Sequence, residues 1–368
     1  MDGLELLRDL LPGVTIDRAE LISDHERATV HRVRARDDAG ERSLIVKRYR
    51  GAGESWVREC AALATLPPNV PAPRLVAESS EPPIAVLTDL GGSDKPAGGI
   101  AGDLLADDSG AADNALVRWA QALAEVHAGT HDRREEFEAQ LNARAGDLPV
   151  AAAPMRAELQ SAVQDLERHC GSLGVAVPTG SSDQLHTLMD QLAAGQSALS
   201  PHDTCPDNCV SVGDRLALID YEGAQWRNVA WDVAYLQVPW PTCWCCWRMP
   251  AEAADRALAA YRRAAATALP TVATDAFEDD LAAALLGWGL LSFVMSIDSA
   301  LAGREPDFGP DRPTPPRRAA LLHRLDRAAG VGLFPALAEL AARLAVELRS
   351  RWGDGPGLAL APAYRPGE

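Results

Sequence analysis

The sequence lacks the basic start and cleavage site that a secretory signal carries, opening instead on MDGLELLRDLL, an amphipathic acidic segment. It has no long apolar span either. LAAALLGWGLLSFVM runs for about fifteen residues, short of the ~20 that cross a bilayer, and is expected to form a buried helix rather than a membrane anchor. The seven cysteines are odd in number, and with no sign of export this points to reduced thiols in a cytoplasmic protein. Internal repeats are absent. Basic residues are outnumbered, 35 Lys and Arg against 52 Asp and Glu for a formal net charge of −17, which excludes nucleic acid as an expected partner. The acidic excess falls mostly beyond residue 90, where it would either attract a cationic small molecule or simply serve solubility. What is present is a chain of 368 residues, 47% of them hydrophobic, long enough to build two cores.

The most informative stretch is SPHDTCPDNCVSVGDRLALIDYEG, from Ser200 to Gly223. Asp203 and Asn208 stand at D-x-x-x-x-N spacing, and Asp220 ends LALID, a short apolar run that reads as a strand. Phosphoryl transfer from a nucleotide needs a carboxylate near the acceptor hydroxyl, together with an amide oxygen and a second carboxylate for Mg²⁺. This segment can bring all three to one edge. Asp203 is the expected catalytic carboxylate, and Asn208 and Asp220 are the expected metal ligands.

The segment resembles the catalytic loop of the aminoglycoside phosphotransferase and choline kinase-like family, whose form is HGDxHxGN followed by a strand ending I-D-[FWY]-[ED]. The matching positions here are Pro201, His202, Asp203, Cys205, Asp207 and Asn208, then Ile219, Asp220, Tyr221 and Glu222. The acid and both metal ligands agree with the family form. The histidine two before the acid is replaced by Pro201, with His202 displaced by one. The resemblance implies a lysine on a third strand and a glutamate on the next helix to orient it, and SLIVKRYR, GAGES and WVRECAALATL supply Lys47 and Glu59. IAVLTDLGG is similar to the family hinge, where backbone groups of Leu87 to Leu90, Asp89 included, would meet the adenine of ATP, with GTP not excluded. ALVRWAQALAEVHAGT resembles the helix that ends in the family histidine, here His127. NVAWDVAYL is similar to the helix whose acid, Asp232, buttresses the catalytic loop. Glu222 holds the family's second acidic position and is expected to reach the metal through water. His127 and His202 are expected to be structural.

The implied fold is α+β and two-lobed, protein kinase-like, with a small β-rich nucleotide lobe over residues 1–90 and a large helical lobe with the acceptor site over residues 91–368. The nucleotide turn falls in LISDHERATVHRVRA, which contains no glycine, although backbone approach to phosphate usually uses glycines. Ser23 and Thr29 are the small residues expected to allow that approach. Five of the nine tryptophans lie between Trp226 and Trp247, beside Cys243, Cys245 and Cys246. They either pack the core or face the acceptor, with Trp231 and Trp240 expected in the core and Trp244 or Trp247 at the acceptor wall. For the cysteines, a zinc site joined by Cys205 or Cys209 competes with simple burial, since the adjacent Cys245 and Cys246 cannot easily chelate one ion. Cys205 is expected to be an exposed thiol near the nucleotide. GDGPGLALAPAYRPGE reads as a poorly ordered tail. The expected function is ATP- and Mg²⁺-dependent transfer of phosphate to a hydroxyl of a small molecule. The alternative is a catalytically silent binding protein of the same fold, and the sequence leaves the oligomeric state open.

Overall fold

A computed structural model describes residues 7–51, 53–91, 99–353 and 355–365. Much of the Gly/Asp-rich segment after the hinge, residues 92–98, lies outside the described residues. The N-terminal region carries five antiparallel strands, β1 (Thr15–Asp24), β2 (Ala28–Asp37), β3 (Gly40–Tyr49), β4 (Leu75–Ser80) and β5 (Pro83–Thr88), in the order β1-β2-β3-β5-β4. Alternation of side chains sorts the sheet's two faces. Val33, Ala35, Leu44, Val46, Ile84 and Val86 pack with Leu7 and Leu11 on the outer face. The intervening positions of β3, Ile45, Lys47 and Tyr49, point to the opposite face, and the helix α1 (Glu54–Thr65) lies there. Trp56 of α1 donates its indole N–H to the Ile84 carbonyl at 3.0 Å and fixes the helix against β5.

The rest of the chain is mostly helical. Helices α2 (Ala101–Leu105), α3 (Ser109–Thr130), α4 (Arg134–Ala145), α5 (Met155–Leu173) and α6 (Ser181–Ala194) precede two short β pairs. β6 (Ser197–Ser200) pairs with β9 (Gln225–Asn228), and β7 (Cys209–Val212) forms a hairpin with β8 (Arg215–Leu218). The loop holding Asp203 and Asn208 therefore runs from β6 to β7, and Asp220 sits between β8 and β9. After α7 (Val229–Val233) come α8 (Ala251–Ala265), α9 (Asp275–Leu301), α10 (Arg317–Ala329) and α11 (Pro335–Trp352).

Helix α9 contains the apolar run noted in the sequence but extends to 27 residues, long and apolar enough to cross a membrane by length and composition. Its apolar window is 72% buried inside the protein. Trp288 of this helix reaches the Trp231 carbonyl at 2.9 Å, and the two rings lie 4.6 Å apart. The expected disorder of the tail is corrected by its packing. Leu358, Ala361 and Ala363 are buried, and Arg248 bonds Ala359 and Ala361 through its backbone at 3.1 and 2.9 Å.

Candidate active site

Lys47 is one of only two lysines in the sequence, and the period of β3 turns it inward. Its Nζ donates to Glu59 Oε2 and to Asp220 Oδ1, each at 2.6 Å. Tyr49, two residues along the same strand face, donates to the same Glu59 carboxylate. Burial opposes the Lys47 charge, but the carboxylates of Asp220 and Glu59 more than compensate and push its pKa up. Burial likewise works against the Asp220 charge, and the Lys47 ammonium holds its carboxyl below the usual range. Asp220 has a positive φ of 65°, a conformation that Asp tolerates better than bulkier residues.

These groups form the floor of a cavity of about 290 Å³. Ile45 and Val30 line one side and Val210 and Ile219 the other, with Leu87, Asp89, Leu90 and Gly91 along the hinge. Asn208 and Glu222 line it as well. The Asp89 side chain is taken up locally, accepting from Arg32 Nε at 2.8 Å, Ser43 Oγ at 2.6 Å and the Gly91 N–H at 3.0 Å. At this position the hinge therefore offers the cavity backbone rather than a free carboxylate. The donor set beside it, an Asp220 carboxylate and an Asn208 amide oxygen, is made of hard oxygen atoms that suit Mg²⁺. Asn208 Nδ2 donates to the Asp203 carbonyl at 3.0 Å, which leaves the amide oxygen as the group's acceptor.

Asp203 stands apart from the cavity lining. Its Oδ1 accepts from Thr242 Oγ1 at 2.8 Å, and Thr242 in turn meets the Tyr235 hydroxyl at 3.1 Å. Burial raises the pKa of Asp203, against the lowering effect of the Thr242 bond. The loop is braced from below by Asp232, which is fully buried and accepts from Ser200 Oγ at 3.0 Å and from Arg227. His127 Nε2 lies 3.0 Å from the same carboxylate, with the Tyr261 hydroxyl 2.9 Å from the other ring nitrogen. Arg227 also donates to the His202 carbonyl at 2.7 Å, and the His202 N–H bonds Ser200 Oγ at 2.9 Å. His202 has φ of 78°, so the residue at the glycine position of HGD takes the left-handed conformation that glycine adopts freely, held there by these bonds. Gly99 closes the other side, where an added Cβ would come within 2.2 Å of the Pro206 carbonyl.

The glycine-free turn is pinned by arginines. Arg50 donates to Thr29 Oγ1, to the His25 carbonyl and to Asp24, and Thr29 Oγ1 donates to Asp24 Oδ1 at 3.0 Å. Thr29 is thus engaged within the turn and lies outside the cavity lining, whereas Ser23 lines it. Arg27 at the turn pairs with Glu222 at 2.9 Å across the cavity mouth. Sequence reasoning missed Arg27, Arg50, Arg227 and Thr242. The run H-E-R in a turn without glycines was a usable signal for Arg27, since a basic side chain is the other way to meet an anion. Thr242 gave none, standing 39 residues from its partner.

Two further expectations are corrected. Cys205 is buried, only 4% exposed, with the Cys243 side chain beside it. Trp244 and Trp247 are also buried, at 4% and 8% exposure, like Trp231 and Trp240. Their indole N–H groups bond Asp207 Oδ2 at 2.7 Å and the Pro313 carbonyl at 3.2 Å, so both are packed residues rather than an open wall.

A five-stranded antiparallel sheet with one buried helix, joined to a helical body that carries the catalytic-type loop, is the α+β, protein kinase-like fold of phosphotransferases. Residues 22–275 match the Phosphotransferase enzyme family (APH), and the chain belongs to that family. Similar solved structures include an ethanolamine kinase from Plasmodium vivax, at 10% identity and a TM-score of 0.51 over 94% of this chain and 87% of that one. An amicoumacin kinase in complex with AMP-PNP, Ca²⁺ and Ami is similar at 13% identity and a TM-score of 0.50 over 91% of this chain and 96% of that one. A choline/ethanolamine kinase family protein from Mesorhizobium loti matches at 16% identity and a TM-score of 0.48, over 90% and 93%. No curated protein matches the chain.

Proposed function

We propose that this protein is an ATP-using, Mg²⁺-dependent O-phosphotransferase that acts on a hydroxyl of a small molecule. The observation that carries this reading is the position of Lys47 Nζ, clasped between Glu59 and Asp220 at 2.6 Å on the floor of a cavity with apolar walls. An ammonium fixed in that way is preorganised for phosphate oxygens. Asn208 and Asp220 would hold Mg²⁺, which when bound supplies neutralisation of the charge on the transferring phosphate. Asp203 orients the acceptor hydroxyl and takes its proton at a carboxylate oxygen, with Thr242 steering that oxygen. The apolar side chains Val30, Ile45, Val210 and Ile219 form a slot for the base, and residues 87–91 supply backbone groups at its edge. Residues 1–90 act as the nucleotide lobe and residues 91–368 as the acceptor lobe. The buried setting of α9 and seven unpaired cysteines support a cytoplasmic enzyme.

A binding protein without turnover is the second reading, favoured by the turn that Arg50 holds to Asp24 and Thr29 in place of a glycine loop. An acceptor panel with Asp203→Asn as the control separates the two. The enzyme reading expects Mg²⁺-dependent nucleotide consumption on at least one hydroxyl acceptor, reduced roughly 10²-fold or more in Asp203→Asn with nucleotide affinity retained. Nucleotide binding with equal, background turnover in both proteins would support the binding protein instead.

A further inference from the structure

Two positions of the catalytic loop depart from HGDxHxGN toward metal-ligand chemistry: Cys205 stands where the family has histidine, and Asp207 where it has glycine. The fold brings these two residues together with Cys243, so that one ligand atom from each lies within 4.8 Å of the others. Cys243 is separated from Asp207 by 36 positions in the chain, so no local turn requires the meeting. We propose that Cys205, Cys243 and Asp207 form a binding site for a thiophilic divalent cation of the Zn²⁺ class, which ties the catalytic-type loop to the tryptophan-rich segment.

Geometry and neighbours fit this assignment. Cys243 Sγ lies 3.9 Å from Asp207 Oδ1, close to the about 3.6 Å edge of a tetrahedron with ordinary Zn–S and Zn–O bonds. Asp207 Oδ2 is occupied by the Trp244 indole N–H at 2.7 Å, with Arg312 at 3.9 Å, and this leaves Oδ1 turned to the sulfurs. The Cys245 N–H donates to Cys243 Sγ at 3.3 Å, the kind of outer contact that stabilises a thiolate ligand. Two thiolates and a carboxylate exceed the charge of a divalent ion by one, and the Arg312 guanidinium balances that excess. On binding, Cys205 and Cys243 each release a thiol proton to solvent. Only Cys243 of the C-x-C-C run takes part, so the adjacent Cys245 and Cys246 need not chelate one ion together. Three protein ligands leave the fourth position to water.

The inference is independent of nucleotide chemistry and is tested without it. The full chain, reduced under anaerobic conditions and held in excess Mg²⁺ to occupy oxygen-only sites, is titrated with Co²⁺. A sulfur-to-cobalt charge-transfer band saturating at one ion per chain, and abolished by added Zn²⁺, is the expected result. The band should be lost in Cys205→Ser and in Cys243→Ser and kept in Cys170→Ser. Trp244→Phe should retain the band and weaken Co²⁺ roughly 10- to 100-fold by releasing the carboxylate. Native mass spectrometry of the wild type with Zn²⁺ gives the stoichiometry even where a serine variant fails to fold. No charge-transfer band in the wild type, a band that survives both serine substitutions in folded protein, or no retained Zn²⁺ would overturn the site and leave a thiol-to-carboxylate hydrogen bond in its place.

Discussion

The two sides of the cavity are held in opposite ways. On one side Lys47 and Glu59 are 12 residues apart and are brought together by one strand, one turn and one helix. On the other side the loop from Ser200 to Asn208 is positioned by Arg227, Asp232, Thr242 and Trp244, all arriving from later in the chain. The first arrangement follows the family form residue by residue. The second departs at Pro201, His202, Cys205 and Asp207, and its loop is held by long-range bonds. Local structure thus fixes the Lys47 ammonium, and tertiary packing fixes the Asp203 carboxylate.

The largest expected effect breaks the Asp203 side alone. Asp232 and Arg227 are a fully buried pair, 0% and 2% exposed at the side chain, and removing one partner leaves the other charge without compensation. Asp232→Ala should therefore cost roughly 3–5 kcal/mol in denaturant unfolding, whereas Glu59→Ala should leave the loop's folding intact. Burial alone would raise the Asp232 pKa, but Arg227 and then His127 bring it down to about 2 from 3.8. Because the folded value is the lower one, this stability is present above pH 3.8 and is lost as pH falls toward 2.

A milder acid effect sharpens the same contrast. Burial, followed by the Arg227 charge, lowers the His202 pKa to about 3 from 6.5. The folded protein therefore keeps His202 neutral while the unfolded chain takes up a proton, and stability is lost as pH falls from 6.5 toward 3. Each pH unit in that window is worth at most about 1.4 kcal/mol. Thermal melts between pH 7 and 5 should show Tm falling in the wild type and falling less in His202→Asn. His323, lowered to about 4 by burial and nearby arginines, supplies the remaining slope. Equal slopes would show that His202 is already hydrated in the folded loop.

The meeting of Lys47 and Glu59 was legible in the sequence because period-two alternation and a helix after a glycine break are local signals. Alternation over SLIVKRYR puts Ile45, Lys47 and Tyr49 on one face of the strand. The sequence exposed the identities of Asp203, Asn208 and Asp220, since their spacing is short, but not what steers them. Thr242 and Arg227 act through space, and no local pattern marks a residue whose partner is dozens of positions away. The burial of Cys205 leaves no local mark for the same reason, Cys243 reaching it from the tryptophan-rich segment. Thr29 was expected to allow approach to the nucleotide phosphates, but Asp24 and Arg50 occupy its hydroxyl. The tail was read from its glycines and prolines, while its isolated apolar residues Leu358, Ala361 and Ala363 are what dock it.

The smallest expected effect lies where the two sides touch. Arg27 is 71% exposed and bonds the largely buried Glu222, so the pair is screened by solvent. Arg27→Ala should leave Tm within about 1 °C and change nucleotide affinity only roughly two- to fivefold. A loss of a hundredfold would mean that Arg27 takes over the phosphate contacts of the missing glycine loop.

The central claim is that Lys47, Glu59 and Asp220 act as one phosphate-facing unit, and nucleotide affinity in a double-mutant cycle tests it most directly. Isothermal titration with Mg²⁺ and a nonhydrolysable ATP analogue is to be run on the wild type, Lys47→Ala, Glu59→Ala and the double variant. Binding that requires Mg²⁺, is weakened strongly in Lys47→Ala, and is hardly weaker in the double variant than in the worse single one is the predicted result. Affinity unchanged in Lys47→Ala, or losses that add independently, would contradict it.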